Sequence, residues 1–171
     1  KKEKVEEFLL QYNLKAICIV QEEQRGTGDI MCVKEFVGEE SFLLLHGDNV
    51  WSARDIEHMK EEKLAIAAKE EDNPEKYGVL EVKDGKLERI DEKPAEPKSK
   101  LVNTGFYTLT KDIFPFVEKL TPSKRGELEL TDAINQLAKE QEMHVYTIQD
   151  YWLDLGSKED IATVEETLSK Q

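Results

Sequence analysis

With 24 Lys and Arg against 37 Asp and Glu in 171 residues, the chain carries a net charge of -13, which argues against a nucleic-acid backbone or an anionic membrane as its main partner. The length is that of one domain, 1–171, able to bury well over half of its unfolded surface. Cys18 and Cys32 are the only cysteines and form no Cys-x-x-Cys pair, so neither a disulfide framework nor a zinc site is suggested.

No apolar run approaches membrane-spanning length, and no apolar region behind Lys1-Lys2-Glu3-Lys4 reads as a secretion signal, so the expected location is cytoplasmic. The mixed Glu and Lys surface fits a thermostable protein. A phosphate-bearing ligand would need local help in so acidic a chain. A divalent cation, N–H groups at a helix start, or individually placed Lys or Arg residues could supply it.

In chain order, Val5, Phe8, Leu9 and Tyr12 fall on one side of a short helix over 3–12, and 16–20 follow as a β-rich apolar run. Gly26-Thr27-Gly28 opens a second helical pattern with Ile30, Met31, Val33 and Val37. Residues 41–46 then read as an apolar strand ending at Gly47-Asp48. A helix over 53–62 and a strand over 64–68 continue the alternation that marks α/β units around a mainly parallel sheet.

The middle differs, because Lys83-Asp84-Gly85-Lys86 between two apolar runs, 77–82 and 87–90, predicts a tight hairpin. Pro94 and Pro97 make 92–100 a loop. Further on, 103–109 reads as a strand, 111–120 and 131–141 as helices, and 145–148 and 151–155 as closing strands. A last helix begins at the Ser157-x-x-Asp160 capping pattern, with Ile161, Val164 and Leu168 on one face.

Two apolar strands deliver a carboxylate at their carboxyl ends, Asp48 after Leu43-Leu44-Leu45-His46-Gly47 and Asp154 after Tyr151-Trp152-Leu153. Two such Asp residues could hold Mg²⁺ beside a phosphate; the alternative is that each merely ends its strand in a turn. Gly26-Thr27-Gly28 could admit a nucleotide close to the backbone, or Thr27 could serve as a helix cap. Glu92-Lys93-Pro94 could meet a sugar hydroxyl and a phosphate, or simply be solvated. Asn103 could present an amide to a sugar, or bond its own backbone. His46 is at most a neighbour of Asp48, and Trp152 lies near enough to Asp154 to wall a pocket.

Taken together and in order, a set of segments resembles the sugar-1-phosphate nucleotidylyltransferases, also called nucleotide-sugar pyrophosphorylases. The set runs through Gln21-x-x-Gln24-x-Gly26-Thr27-Gly28, Leu45-His46-Gly47-Asp48-Asn49, Tyr77-Gly78-Val79, Glu92-Lys93-Pro94, Val102-Asn103-Thr104-Gly105-Phe106-Tyr107, Glu127-Leu128-Glu129-Leu130-Thr131-Asp132 and Tyr151-Trp152-Leu153-Asp154-Leu155-Gly156. The resemblance implies a Rossmann-like α/β fold, a mixed, mainly parallel sheet flanked by helices. It also implies attack by a sugar 1-phosphate on the α-phosphate of a nucleoside triphosphate, with pyrophosphate leaving. By the same resemblance Gln21, Gly26 and Thr27 serve the nucleotide, Asp48 and Asp154 hold Mg²⁺, Gly78, Glu92 and Asn103 contact the sugar, and Lys93 its phosphate.

The chain departs from that family at its front. The family's opening strand and glycine-rich, Arg-containing loop, which grip the triphosphate, have no match, so the expectation is an incomplete domain lacking its first βα unit and inactive alone. A completing N-terminal segment or a homo-oligomer are the expected partners. A non-catalytic regulatory or assembly subunit is the competing reading, and a glycosyltransferase is a third, weakened by the lack of an Asp-x-Asp motif.

Overall fold

The computed structural model describes residues 2–170. Eight strands form in chain order: β1 Phe42–Leu45, β2 Asn49–Trp51, β3 Ala65–Glu70, β4 Gly78–Lys83, β5 Lys86–Glu92, β6 Leu101–Leu109, β7 His144–Thr147 and β8 Trp152–Asp154. Five α-helices accompany them: α1 Lys2–Gln11, α2 Ala53–Glu61, α3 Phe114–Val117, α4 Leu130–Glu140 and α5 Asp160–Ser169. Six strands make one sheet in the order β1-β6-β3-β7-β5-β4, and β2 and β8 pair as a separate antiparallel ribbon.

The sheet is the expected mixed α/β sheet, but its parallel share is smaller than the sequence led us to expect. Among the described residues only β3 and β7 run parallel; β1–β6, β3–β6, β4–β5 and β5–β7 are antiparallel. The cause is β6, a nine-residue strand that returns after the hairpin and inserts between β1 and β3 with opposite direction. The hairpin itself forms as predicted, with Asp84 and Gly85 both at positive φ, 52° and 75°, the backbone of a type I′ turn.

Alternation along the central strands gives each face of the sheet its own core. Ile66 and Ala68 of β3 join Leu80, Ile90, Tyr107, Leu109, Phe114, Ile134 and Leu137 on one face. Ala65 and Ala67 join Trp51, Met59, Val102, Phe106 and Trp152 on the other. Helix α4 presents Leu130, Ala133, Ile134 and Leu137 to the first core, which is the i, i+3, i+4, i+7 spacing of a buried stripe. Asn135 of the same helix substitutes for a neighbouring strand: its side-chain amide accepts from the Ile90 N–H at 2.7 Å and donates to the Ile90 carbonyl at 2.8 Å.

The first 40 residues depart most from expectation. Helix α1 forms and ends in a Schellman cap, with Asn13 at φ 51°, Leu14 N–H donating to Leu9 O at 2.9 Å and Asn13 N–H to Leu10 O at 3.2 Å. It buries none of its residues. The strand expected over 16–20 does not form, because the segment finds no ladder partner. The helix expected after Gly28 shrinks to a single 3-10 turn, Met31–Val33, followed by a hydrogen-bonded turn over 34–36. Residues 111–120 likewise split into a 3-10 turn, Lys111–Ile113, and the short α3, whose Pro115 is confined to the first turn.

Candidate active site

Strand β1 leads directly to Asp48. The pairing with β6 continues one residue past Leu45, the His46 N–H donating to Gly105 O at 3.0 Å, and the chain then enters β2. In the ribbon Asn49 stands opposite Asp154, and Leu155 N–H donates to Asp48 O at 2.9 Å. Two carboxylates 106 positions apart in sequence are thereby set on adjoining rungs. The Asn49 side chain links Asp48 to β8: its Nδ2 donates to Asp48 Oδ1 at 2.8 Å and its Oδ1 accepts from Trp152 Nε1 at 2.5 Å.

These residues open onto a cleft of about 390 Å³, whose walls bring together most of the predicted site: Thr27, Asp48, Gly78, Glu92, Lys93, Asn103 and Asp154. Burial and the neighbouring Asp48 charge push the Asp154 carboxyl above its ordinary value. His46 lines the same cleft with its pKa lowered by burial, against the pull of Asp48 and Asp154, and its buried Nε2 has no hydrogen-bond partner. Gly105, at φ 71°, is required there, because a Cβ would collide with the imidazole.

Further lining comes from the end of β5 and the start of α4. Burial and Glu129 raise the Glu92 carboxyl, which accepts a long 3.4 Å hydrogen bond from Thr131 Oγ1. Lys93 follows in the left-handed region, φ 45°, held by its N–H donating to Tyr77 O at 3.0 Å. A non-glycine residue held at positive φ beside a cleft is the kind of local strain that functional sites retain. Gly78 gives Glu92 room, since a Cβ would lie 3.2 Å from its Oε2 and 2.9 Å from Ile90 Cγ2. Asn103 does bond its own backbone, its Oδ1 accepting from Gly105 N–H at 2.9 Å while its Nδ2 donates to Tyr107 Oη at 2.6 Å.

Gln21 and Gly26 do not line this cleft. Gln21 Nε2 donates to Asp29 Oδ2 at 3.0 Å, in a separate surface depression shared with Arg25 and Met31. Gly26 serves a close crossing of two backbones: a Cβ there would stand 2.6 Å from Leu128 O, and Leu128 is bonded on both sides, to Arg25 O and from Gly28 N–H. Thr27 does act as a cap, but of α4: its Oγ1 accepts from the Leu130 N–H at 3.4 Å.

Arg125, Lys76, Tyr77 and Thr131 also line the cleft and carried no role in the sequence reading. Arg125 forms a two-pronged pair with Glu129, Nε to Oε1 at 3.1 Å and Nη2 to Oε2 at 3.0 Å. Its signal was present, since it stands just ahead of the Glu127-to-Asp132 segment. A larger groove of about 710 Å³ beneath α3 and α4 contains none of the predicted residues.

Five carboxylates, Asp48, Glu92, Glu127, Glu129 and Asp154, face three cations, Lys76, Lys93 and Arg125, around the cleft. An anionic ligand would enter a negative field unless a cation accompanied it. Among the described residues no three His, Cys, Asp or Glu side chains gather into a metal cage. Asp48 and Asp154 nonetheless fit Mg²⁺, which typically takes one or two carboxylates and completes its shell with water and phosphate oxygens. The upward pull of Asp48 on the Asp154 carboxyl is the repulsion that such an ion would relieve.

The sequence matches the model of the family described as nucleotidyl transferase over residues 2–171. It is 39% identical over 163 residues to the bifunctional protein GlmU of Methanocaldococcus jannaschii, covering 94% of this chain and 39% of that protein. It is also 39% identical over 158 residues to the bifunctional sugar-1-phosphate nucleotidylyltransferase/acetyltransferase of Sulfurisphaera tokodaii, covering 88% of this chain and 38% of that one. The chain thus spans about two fifths of the length of these curated relatives. A Bacillus anthracis protein assigned as a glucose-1-phosphate thymidylyltransferase, solved with a sucrose, superposes with a TM-score of 0.82 at 28% identity, over 96% of this chain and 71% of that one. A UDP-glucose pyrophosphorylase complexed with UDP-glucose shares the fold, with a TM-score of 0.78 over 100% of this chain and 74% of that one, at 23% identity. The chain belongs to the nucleotidyl transferase family, as its resemblance to the sugar-1-phosphate nucleotidylyltransferases implied.

Proposed function

We propose that the chain forms the sugar-phosphate and cation side of a sugar-1-phosphate nucleotidylyltransferase active site. The substrates are UTP or dTTP with glucose 1-phosphate or N-acetylglucosamine 1-phosphate. A phosphate oxygen of the sugar phosphate attacks the α-phosphorus, a new P–O bond forms as the bond to the β-phosphate oxygen breaks, and pyrophosphate leaves. The observation that carries this reading is the meeting of Asp48, Asp154, Lys93, Glu92 and Asn103 in one cleft although they come from separate stretches of chain.

Catalysis of this kind is mostly placement and charge compensation, so no covalent nucleophile is needed. Asp48 and Asp154 would hold Mg²⁺, which would supply charge stabilisation at the phosphate oxygens. Lys93 pairs with the sugar phosphate, its backbone set by the bond to Tyr77 O. Glu92 accepts from sugar hydroxyls, the Asn103 amide borders them, and Gly78 leaves space for the ring. The half-buried Glu92 suits that task because it is already stripped of much of its water.

A non-catalytic subunit that retains this pocket is favoured by one observation, that Gln21 and Gly26 lie off the cleft. For the same reason we propose that the chain alone binds sugar phosphate without turning over nucleotide. Calorimetry with glucose 1-phosphate and N-acetylglucosamine 1-phosphate should show Mg²⁺-dependent binding, weakened roughly ten-fold or more by Lys93→Ala, the loss of one charge-assisted contact. Binding indifferent to both Mg²⁺ and Lys93 would refute the assignment, and pyrophosphate release from UTP by the chain alone would refute its inactivity.

A further inference from the structure

Asp55 is fully buried, lines no part of the cleft, and yet gathers hydrogen bonds from four donors. Its Oδ2 accepts from Ser52 Oγ at 2.6 Å and Asp150 N–H at 3.2 Å; its Oδ1 accepts from Tyr146 Oη at 2.8 Å and Gln149 N–H at 2.9 Å. Ser52 Oγ in turn caps α2 by accepting from the Asp55 N–H at 3.0 Å. A buried carboxylate satisfied this fully has few alternative positions, since every lost bond would leave a desolvated group unpaired.

The donors are not arranged at random. Ser52 directly follows β2, and Gln149 and Asp150 lie in the turn that feeds β8, so Asp55 ties together the end of the ribbon at which Ser52 N–H donates to Tyr151 O at 3.3 Å. The ribbon is only three rungs long, and its other end carries Asp48 and Asp154. Three rungs of antiparallel pairing are weak on their own, and a slip of one residue would send Asp154 to the opposite face.

We infer that Asp55 is a positioning residue: its four-donor carboxylate locks the β2–β8 register from the far end and so sets the spacing of Asp48 and Asp154. The inference rests on the proposed cation role of that pair. Removal of the Asp55 charge leaves both cleft carboxylates present but no longer held on adjoining rungs. The nearest parallel is the partner that orients a metal-binding side chain without touching the metal.

The test uses the full chain with Mn²⁺ as the probe, read by electron paramagnetic resonance, together with hydrogen exchange of the Leu155 amide, the donor to Asp48 O. Asp55→Asn keeps the shape but turns an amide NH₂ toward donor groups. Mn²⁺ affinity should fall about ten-fold or more, the usual cost of losing such an orienting partner, and Leu155 exchange should accelerate. Tyr146→Phe and Ser52→Ala each remove one bond and should give smaller changes in the same direction, which keeps the test decisive if Asp55→Asn does not fold. Leu137→Ala, in the core on the other face, should lower the melting temperature while leaving Mn²⁺ affinity and Leu155 exchange near wild type. Unchanged Leu155 exchange in folded Asp55→Asn, or in both single-bond variants, overturns the clamp. Absence of Mn²⁺ binding by the wild type overturns the cation role instead, and Leu155 exchange still decides whether Asp55 fixes the register.

Discussion

Residues 2–37 and residues 42–155 are both rich in apolar side chains, yet they end in opposite states. In the first, Val5, Phe8, Leu10, Tyr12, Leu14, Ile17, Val20 and Phe36 remain largely exposed, and the strand-like run 16–20 pairs with nothing. In the second, Ile66, Ala68, Phe106, Tyr107, Ile134 and Leu137 lose all contact with solvent. An apolar run becomes a strand only when another strand accepts its backbone hydrogen bonds, and it becomes core only when the opposite layer covers it.

The largest effect that should sharpen this contrast is cavity creation under the sheet. Ile134→Ala or Phe114→Ala, both fully buried, should cost about 3–5 kcal/mol in denaturant unfolding. A loss as small as that of a surface substitution would break the contrast.

Next comes the Asp55 clamp. Burial alone would raise its carboxyl, but the bonds from Ser52, the Gln149 N–H, Tyr146 and the Asp150 N–H outweigh burial and hold it below the ordinary value. A depressed folded value stabilises the fold at pH above the unfolded value near ~4, and that contribution is lost as pH falls through the folded value. Asp55→Asn should therefore destabilise by roughly 1–3 kcal/mol at neutral pH, and the gap to wild type should narrow below about pH 4. A gap that stays constant on acidification would contradict the assignment.

Glu92 should behave in the opposite sense. Its raised carboxyl costs stability as pH climbs from the unfolded value through the folded one, so Glu92→Gln should raise the neutral-pH melting temperature by a few degrees at most. The same change should weaken sugar-phosphate binding, and a variant that gained stability without losing affinity would remove Glu92 from the site.

The smallest effect belongs to the exposed N-terminal stretch, where Val5→Ser or Phe8→Ser should shift stability by no more than about 0.5 kcal/mol. A loss of several kcal/mol would mean that this helix is packed after all.

Local chemistry made parts of this molecule legible in the sequence. Asp84-Gly85 announced the hairpin and Ile134 and Leu137 the buried stripe of α4, whereas the helix expected from 158 starts only at Asp160, with Glu159 rather than Ser157 at its N-cap and Asp160 Oδ2 accepting from Ser157 N–H at 2.7 Å. Long-range pairing was not legible. Nothing local to β6 says that it runs antiparallel between β1 and β3, and nothing near Asn49 says that β2 pairs with a strand a hundred residues away. Within the cleft, Asp48 and Asp154 were visible as carboxylates ending apolar strands. Thr131 was hidden because its approach to Glu92 depends on how α4 packs beside β5.

Asp48 and Asp154 should act as one cation site. Titration of Mn²⁺ into the wild type, Asp48→Asn and Asp154→Asn, with bound ion counted by electron paramagnetic resonance, reads this directly. The expected result is one ion per wild-type chain, with binding lost in each single variant while circular dichroism shows the fold intact. Equal Mn²⁺ binding by all three proteins would contradict it.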